Sequence, residues 1–371
     1  MRFLHTADWQ IGMKAAHVGE AGEVVRRERL EAAKRVVTVA RERAVDFILV
    51  AGDTFEHNAV PRAEVQRVAD ILGGFPGPVY LIPGNHDPLG PGSVWEHGAW
   101  AGHGTLHVLR EPTPLEIPGG VLLPCPAKSR HSLGDPTAWM PPRADNALRI
   151  GLAHGTLALP HIDDRTFPIP VGAAQARGLD YLALGHWHST LVADDGRTAY
   201  SGTHETTAFG ERDSGNVLLV TVEAGGPPQL ETVPTGGLRW VAVGEGRGVG
   251  ALDDLMDVLR EVEGLADPGR TLLKVVLEGL LPVGGVEVLR DLEVLLEARF
   301  LFSALYRDRL VPSPDDPGWI DRLPPEGVEA AVARRLLALA HAEPIVGTES
   351  QPAAAVEALQ LLFRLVQEVE R

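Results

Sequence analysis

Residues 79–88 read Val-Tyr-Leu-Ile-Pro-Gly-Asn-His-Asp-Pro, four apolar residues that give way to a proline, a glycine and three polar side chains. A run this short and apolar, closed by turn residues, is the pattern of a strand buried on both faces of a parallel sheet. The pattern recurs on either side. Residues 2–7 run into Asp8 and Gln10, residues 47–51 into Gly52 and Asp53, residues 148–153 into His154, and residues 179–184 into Gly185, His186 and His188. Residues 217–222 are a further apolar run, and residues 23–43 and 62–72 carry helical periodicity. The alternation predicts an α/β domain. In open α/β sheets, ligands bind beyond the carboxyl ends of the strands. Five strands would therefore deliver Asp8, Gln10, Asp53, Asn85, His86, His154, His186 and His188 to one edge.

The chain is larger than that domain. At roughly 150 residues per domain, 371 residues with 44% hydrophobic content predict two or three. Gly-Gly-Pro-Pro at residues 225–228, then Pro234, Gly236 and Gly237, place a boundary near residue 236 and a first domain over residues 1–235. Beyond it, apolar runs at 238–243, 272–278 and 300–306 alternate with helical patterns at 252–262 and 286–298, a small α/β cap over residues 236–311. Residues 312–317, Pro-Ser-Pro-Asp-Asp-Pro, read as a second linker before a helical tail at 318–371. Apolar stripes in the tail, such as Leu336, Leu337, Leu359, Leu362 and Phe363, suit either packing within the chain or docking onto a partner.

Charge and cysteine content narrow the chemistry. With 34 Lys plus Arg against 50 Asp plus Glu the net charge is -16, which excludes the uniformly basic surface of a protein that coats nucleic acid. A polyanionic substrate would have to be met by local positive charge, and bound metal is one source of it. Cys125 is the single cysteine. An intramolecular disulfide and a CxxC zinc site are both excluded, so any metal is expected on His, Asp, Glu, Asn or Gln, and a reducing cytoplasm is the expected compartment. The sequence contains neither a signal-peptide pattern nor an apolar segment long enough to predict a membrane span. Seven mixed N/O ligands suit Mn²⁺, Fe or Zn, and two ions about 3.5 to 4 Å apart would use them all, an arrangement that serves phosphoester hydrolysis.

Asp8-x-Gln10, Gly52-Asp53, Gly84-Asn85-His86-Asp87, Ala153-His154-Gly155 and Gly185-His186-Trp187-His188 together resemble the five-block signature of the calcineurin-like metallophosphoesterases. The opening residues 3–9, the block Gly52-Asp53-Thr54-Phe55 and the downstream cap are similar to the SbcD-type DNA-repair exonucleases, nuclease partners of a coiled-coil ABC ATPase. The resemblance implies a four-layer α-β-β-α sandwich with a small α/β cap and C-terminal helices. It implies one metal on Asp8, Gln10, Asp53 and His188, a second on Asp53, Asn85, His154 and His186, and Asp53 as the bridge. It also implies two divalent ions, foremost Mn²⁺, a hydroxide that attacks phosphorus in line, and His86 as the catalytic imidazole acting on the leaving oxygen. DNA as substrate, an SbcC-type ATPase as partner and a homodimer follow from the same resemblance.

The chain departs from the family pattern in two places. Gln10 stands where the family has His, and Glu56 followed by His57 stands where relatives place a further active-site His. Other residues have two readings. Trp9 and Trp187 suit base stacking or core packing, and His204 suits the site wall or the interior. Arg26, Arg27 and Arg29 suit phosphate contacts or an ordinary solvated helix face. A metallophosphoesterase of small phosphoesters such as a cyclic nucleotide, and a weakly catalytic scaffold that binds DNA ends or a partner, are the competing functions.

Overall fold

A computed structural model describes residues 1–371 except 160, 161, 163, 225, 283, 313–316, 342–349, 370 and 371. The chain divides into two compact units, Met1–Arg239 and Trp240–Arg371.

The first unit is two six-stranded sheets face to face. Its strands are β1 (Arg2–Thr6), β2 (Phe47–Ala51), β3 (Val79–Ile82), β4 (Leu106–Val108), β5 (Leu115–Ile117), β6 (Gly120–Cys125), β7 (Leu148–His154), β8 (Tyr181–Gly185), β9 (Leu191–Val192), β10 (Thr198–Tyr200), β11 (Asn216–Thr221) and β12 (Gln229–Pro234). One sheet has the order β12-β11-β1-β2-β3-β4 and the other β5-β6-β7-β8-β10-β9. In the first, β1 through β4 are parallel, joined through helices α1 (Gly22–Glu42) and α2 (Arg62–Gly73), while β11 returns antiparallel to β1. In the second, β6, β7, β8 and β10 are parallel.

Period-two alternation explains the layering. Leu4, Ile48, Val50, Val79 and Leu81 face α1 and α2, where Ala33, Val36, Val65, Val68 and Leu72 complete one core. Their neighbours Phe3, Phe47, Leu49, Tyr80 and Ile82 point the other way, onto Leu122, Ile150, Leu152, Tyr181 and Ala183 of the second sheet. The far face of that sheet, Leu123, Ala153, Leu182 and Leu184, is covered by the short helix α3 (Ala173–Ala176) and by Met140, Leu157 and Ile169 from connecting loops. The result is the α-β-β-α sandwich that the resemblance implies, with a fourth layer made mostly of loop. Strand β12 lies inside the glycine- and proline-rich stretch that reads from sequence as a linker. It pairs with β11 over the register Asn216↔Pro234 to Thr221↔Gln229.

The second unit has a sheet in which β13 (Arg239–Val243) and β14 (Gly248–Val249) flank one side of β15 (Thr271–Leu281) and β16 (Phe302–Pro312) the other. Helices α4 (Leu252–Glu263) and α5 (Gly285–Arg299) pack Leu255, Val258, Leu289 and Leu292 onto Leu273, Val275 and Leu277. The linker residues 313–316 lie outside the described residues. After them, a short turn of 3-10 helix (Pro317–Arg322) precedes α6 (Val328–Ala340) and α7 (Ser350–Val369). Trp319, Ile320, Ala330, Ala333, Leu359 and Phe363 form a small core of their own. Among the described residues no helix is long and apolar enough to cross a membrane.

Phe3 is fully buried between the two sheets and stacks on Phe47 at 4.8 Å. Phe3→Ala is expected to cost about 3–5 kcal/mol, read as a lower denaturant midpoint. An unchanged midpoint would mean the sheet interface does not carry the stability of this unit.

Candidate metal centre

The carboxyl ends of β1, β2, β3, β7 and β8 converge, and each chain turns sharply there. Four of the seven ligands expected from sequence lie in the left-handed region: Asp8 (φ 53°), Gln10 (φ 43°), Asp53 (φ 49°) and His186 (φ 104°). Residues other than glycine occupy this region at a cost of order 1–3 kcal/mol each. The cost is met by a lattice of main-chain bonds. Asp8 N–H donates to Gly52 O (3.1 Å), Gln10 N–H to Asp53 O (2.9 Å) and Ile11 N–H to Thr54 O (3.0 Å), so the first two ligand loops run side by side. Close approach explains two glycines. A Cβ on Gly84 would collide with the Asp53 carboxylate, and one on Gly52 (φ 87°) would collide with the His154 ring.

Asp53 stands at the centre, 1% exposed. Its Oδ1 accepts from His86 N–H at 2.8 Å, and its Oδ2 lies 3.3 Å from His154 Nε2. Asn85 Oδ1 lies 2.8 Å from His154 Nε2 and 3.0 Å from His186 Nδ1. Asp53, His154 and His186 offer ligand atoms within 4.8 Å of one another, a group able to hold a metal ion. The Gln10 amide nitrogen and His188 Nε2 are 3.0 Å apart. Asp8, fully buried, accepts His186 N–H with both carboxylate oxygens at 3.1 and 3.0 Å. The seven expected ligands are therefore gathered in one place.

The donor set fits divalent metal because each imidazole is held from behind. His154 Nδ1–H donates to Ala51 O (2.8 Å), His186 Nε2–H to the Asp164 carboxylate (2.7 Å) and His188 Nδ1–H to the Glu211 carboxylate (2.7 Å). The remaining nitrogen of each ring points inward, with the outer support that metal-binding histidines require. Burial would lower His154, but Asp53 outweighs it and raises the ring to about 9, so a metal there would displace its inner proton. Glu211 is itself fixed by Thr207, whose N–H donates to Oε2 at 2.7 Å and whose hydroxyl donates to Oε1. Asp87 serves the backbone instead. Its two oxygens accept Phe55 N–H (2.9 Å) and Gly84 N–H (2.7 Å), and burial, with Asp53 nearby, pushes its carboxyl up to about 8.

Electrostatics around Asp53 divide the acids. Burial raises Asp8 above the usual carboxylate range. Burial would raise Asp53 as well, but the adjacent His154 outweighs it and holds Asp53 below that range. His86 is not among the inward-facing nitrogens. Its Nδ1–H donates to the Glu56 main-chain carbonyl (3.1 Å), and the Glu56 carboxylate lies 3.8 Å away. His86 and Glu56 border, with Asp164, Trp187, Phe209 and Glu211, an open cavity of about 660 Å³ in front of the cluster.

Asp164 and Glu211 escape a reading of the sequence because neither lies in a ligand block, and a lone loop carboxylate carries no periodic signal. Glu56, to which the sequence assigns no role, holds His86, whereas the His57 ring accepts Ala59 N–H in a local turn. Trp9 and His204 are fully buried and stack on each other at 4.8 Å, behind the cluster rather than in the cavity. Trp187 is 37% exposed at the cavity. Arg29 is buried, and Arg26 and Arg27 line a separate surface pocket with Arg67.

The family profile described as calcineurin-like phosphoesterase matches residues 1–190. The SbcD component of the SbcCD nuclease of Bacillus subtilis (strain 168) is 26% identical over 275 residues, covering 62% of this chain and 68% of that protein. Among solved structures, TT1561 of Thermus thermophilus is similar at 14% identity and a TM-score of 0.42, covering 63% of this chain and 98% of that one.

Gln10→His is expected to tighten metal on the Asp8 side, since imidazole is a stronger donor to Mn²⁺ than a carboxamide. Mn²⁺ titration followed by calorimetry should show a lower dissociation constant for one site. An unchanged isotherm would remove Gln10 from the ligand set.

Proposed function

The chain belongs to the calcineurin-like phosphoesterase family, and from that premise we propose that it is a two-metal DNA phosphodiesterase, an exonuclease or endonuclease of DNA repair. The observation that carries the reading is the buried Asp53 carboxylate, grouped with His154 and His186 as ligand atoms and accompanied by Asn85, Asp8 and the Gln10–His188 pair. Asp8, Gln10 and His188 would hold one ion with it, and Asn85, His154 and His186 the other. Bound divalent ions, foremost Mn²⁺, would supply Lewis acidity and an activated water for in-line displacement at phosphorus. The protein's own residues do the rest. Asp164 and Glu211 keep His186 and His188 in the coordinating tautomer, and Asp87 fixes the turns that carry Asp53 and Asn85. His86, anchored through Nδ1 to Glu56, presents its other nitrogen to the cavity as the proton donor for the leaving oxygen.

DNA as the substrate is supported by the likeness to the B. subtilis nuclease and by a pocket lined with Arg26, Arg27, Arg29 and Arg67, in which Glu23 and Glu64 also stand and Glu64 pairs with Arg67. That pocket also contains Ile11, Gly12 and Met13, directly after the ligand Gln10, where guanidinium groups would meet backbone phosphates. A small phosphoester substrate is a second reading. The catalytic cavity is lined by Asp53, Glu56, Asp164 and Glu211 and by no Lys or Arg among the described residues.

His86→Ala is expected to lower turnover by about 10²- to 10⁴-fold while both metals stay bound. Labelled duplex, single-stranded DNA and bis-p-nitrophenyl phosphate, each with Mn²⁺, Mg²⁺ and chelator, test the reading. Hydrolysis of the small diester with no cleavage of either DNA would favour the second reading, and full activity in chelator would end both.

The partner is an SbcC-type coiled-coil ATPase, with the nuclease as a homodimer in the assembly. The support lies in α6 and α7, which leave Val328, Val332, Leu361 and Leu365 exposed after forming their small core. A chain lacking residues 324–371 is expected to lose retention on the ATPase encoded in the same genome while keeping diester hydrolysis. Retention by the truncated chain would place the docking surface elsewhere.

A further inference from the structure

Arg29 is the largest charged side chain in the interior, 1% exposed, and it meets backbone rather than a carboxylate. Its Nε–H donates to Trp9 O at 2.9 Å, one Nη–H to the same carbonyl, another to Asp8 O at 3.4 Å, and Nη1–H to the main-chain carbonyl of Glu205 at 2.9 Å. Arg29 therefore grips from behind the loop that presents Asp8 and Gln10, both held at positive φ. Burial lowers Arg29 to about 10, so it keeps its charge at neutral pH.

The same cluster reaches the end of the first unit. The Glu205 carboxylate, whose side chain is fully buried, accepts Gly237 N–H at 2.6 Å and Leu238 N–H at 3.2 Å, and Arg35 lies 3.5 Å away. Thr235 donates its hydroxyl to His204 O at 2.7 Å, and Arg35 Nε–H donates to Thr235 O at 2.5 Å. His204 donates Nε2–H to Arg29 O at 2.8 Å and stacks on Trp9. One connected set of bonds thus runs from the Asp8–Gln10 loop through Arg29, His204 and Glu205 to the last residues of the unit.

We propose that Arg29 and Glu205 are positioning residues for the metal on the Asp8 side, and that through Gly237 and Leu238 they couple the filling of that site to the order of the backbone leaving the first unit. The proposal rests on the two-metal reading above. The geometry makes it specific, because Arg29 holds the carbonyls of residues 8 and 9. The rings of the other metal's ligands His154 and His186 are held from behind by Ala51 and Asp164, outside this set, which His186 meets only through its main-chain N–H on the Asp8 carboxylate. Coupling of this kind is reciprocal: what orders one end must be strengthened by binding at the other.

The test uses the full-length protein with Mn²⁺ alone. Calorimetric titration of the wild type, Glu205→Gln and Arg29→Lys reads the two sites separately, and amide hydrogen exchange reads residues 235–239 with and without saturating Mn²⁺. The expected result is two sites in the wild type, of which the variants weaken one by about 10- to 100-fold, the range for losing an outer support of a metal ligand, and leave the other within about threefold. Mn²⁺ should also slow exchange at Gly237 and Leu238 in the wild type and not in Glu205→Gln. If the wild type bound fewer than two ions, the two-metal reading would fail. Two wild-type sites that both variants leave unchanged or weaken equally, or exchange at Gly237 and Leu238 indifferent to Mn²⁺, would overturn the positioning proposal by itself. Glu205→Gln, the nearly isosteric change, keeps the test open if Arg29→Lys does not fold.

Discussion

The position of the Asp53 carboxylate constrains everything around it. One oxygen is fixed by His86 N–H and the other faces His154, so the group is committed to the centre and cannot rotate toward solvent. Keeping it there requires a left-handed backbone at residue 53 and a glycine at 84, because any side chain on Gly84 would occupy the space of the carboxylate. It also requires β1, β2 and β3 in parallel register, so that the turns beyond their carboxyl ends lie side by side. The cores on either face of that sheet hold these backbone conformations against their cost.

Around this centre the protein meets a general requirement of histidine sites, that an imidazole be correctly rotated, with its outer nitrogen occupied, before it can donate to a metal. Here the outer nitrogen of each ring is occupied by a different kind of acceptor: a main-chain carbonyl for His154, an exposed carboxylate for His186 and a largely buried one, itself bound by Thr207, for His188. The supports differ in stiffness. Ala51 O belongs to a buried strand, whereas Asp164 stands in a loop at the edge of the cavity. His154 is thereby the most firmly preset of the three rings.

The charge distribution follows the same division of labour. A chain of net charge -16 surrounds its catalytic cavity with carboxylates, which would repel a phosphodiester on their own and favour divalent cations. Acidic and imidazole groups gather at the carboxyl ends of the strands, whereas Arg26, Arg27 and Arg67 line a pocket of their own together with Glu23 and Glu64. Arg29 borders that pocket too, but it is buried. Its charge is spent inside the fold on main-chain carbonyls, where it ties a ligand loop to the backbone that leaves the unit.

The order of the buried strands and the residues at their carboxyl ends are written locally in the chain, because a strand covered on both faces must be apolar throughout and its first polar residue marks where it leaves the core. For that reason Asp8, Gln10, Asp53, Asn85, His154, His186 and His188 are legible together, as are α1 and α2 from their periodicity. The layer around them emerges only on folding. Asp164, Glu211 and Glu56 act across 22, 23 and 30 residues of chain on His186, His188 and His86, and Arg29 acts across 175 or more on His204 and Glu205. No local pattern encodes such pairs. Strand β12 is hidden for a related reason: its burial alternates weakly at a sheet edge, among glycines and prolines that signal turns. Trp9 and Trp187 have the same two readings from sequence, and the packing of the folded chain puts one in the core and the other at the cavity, since an indole's place depends on which distant strands close over it.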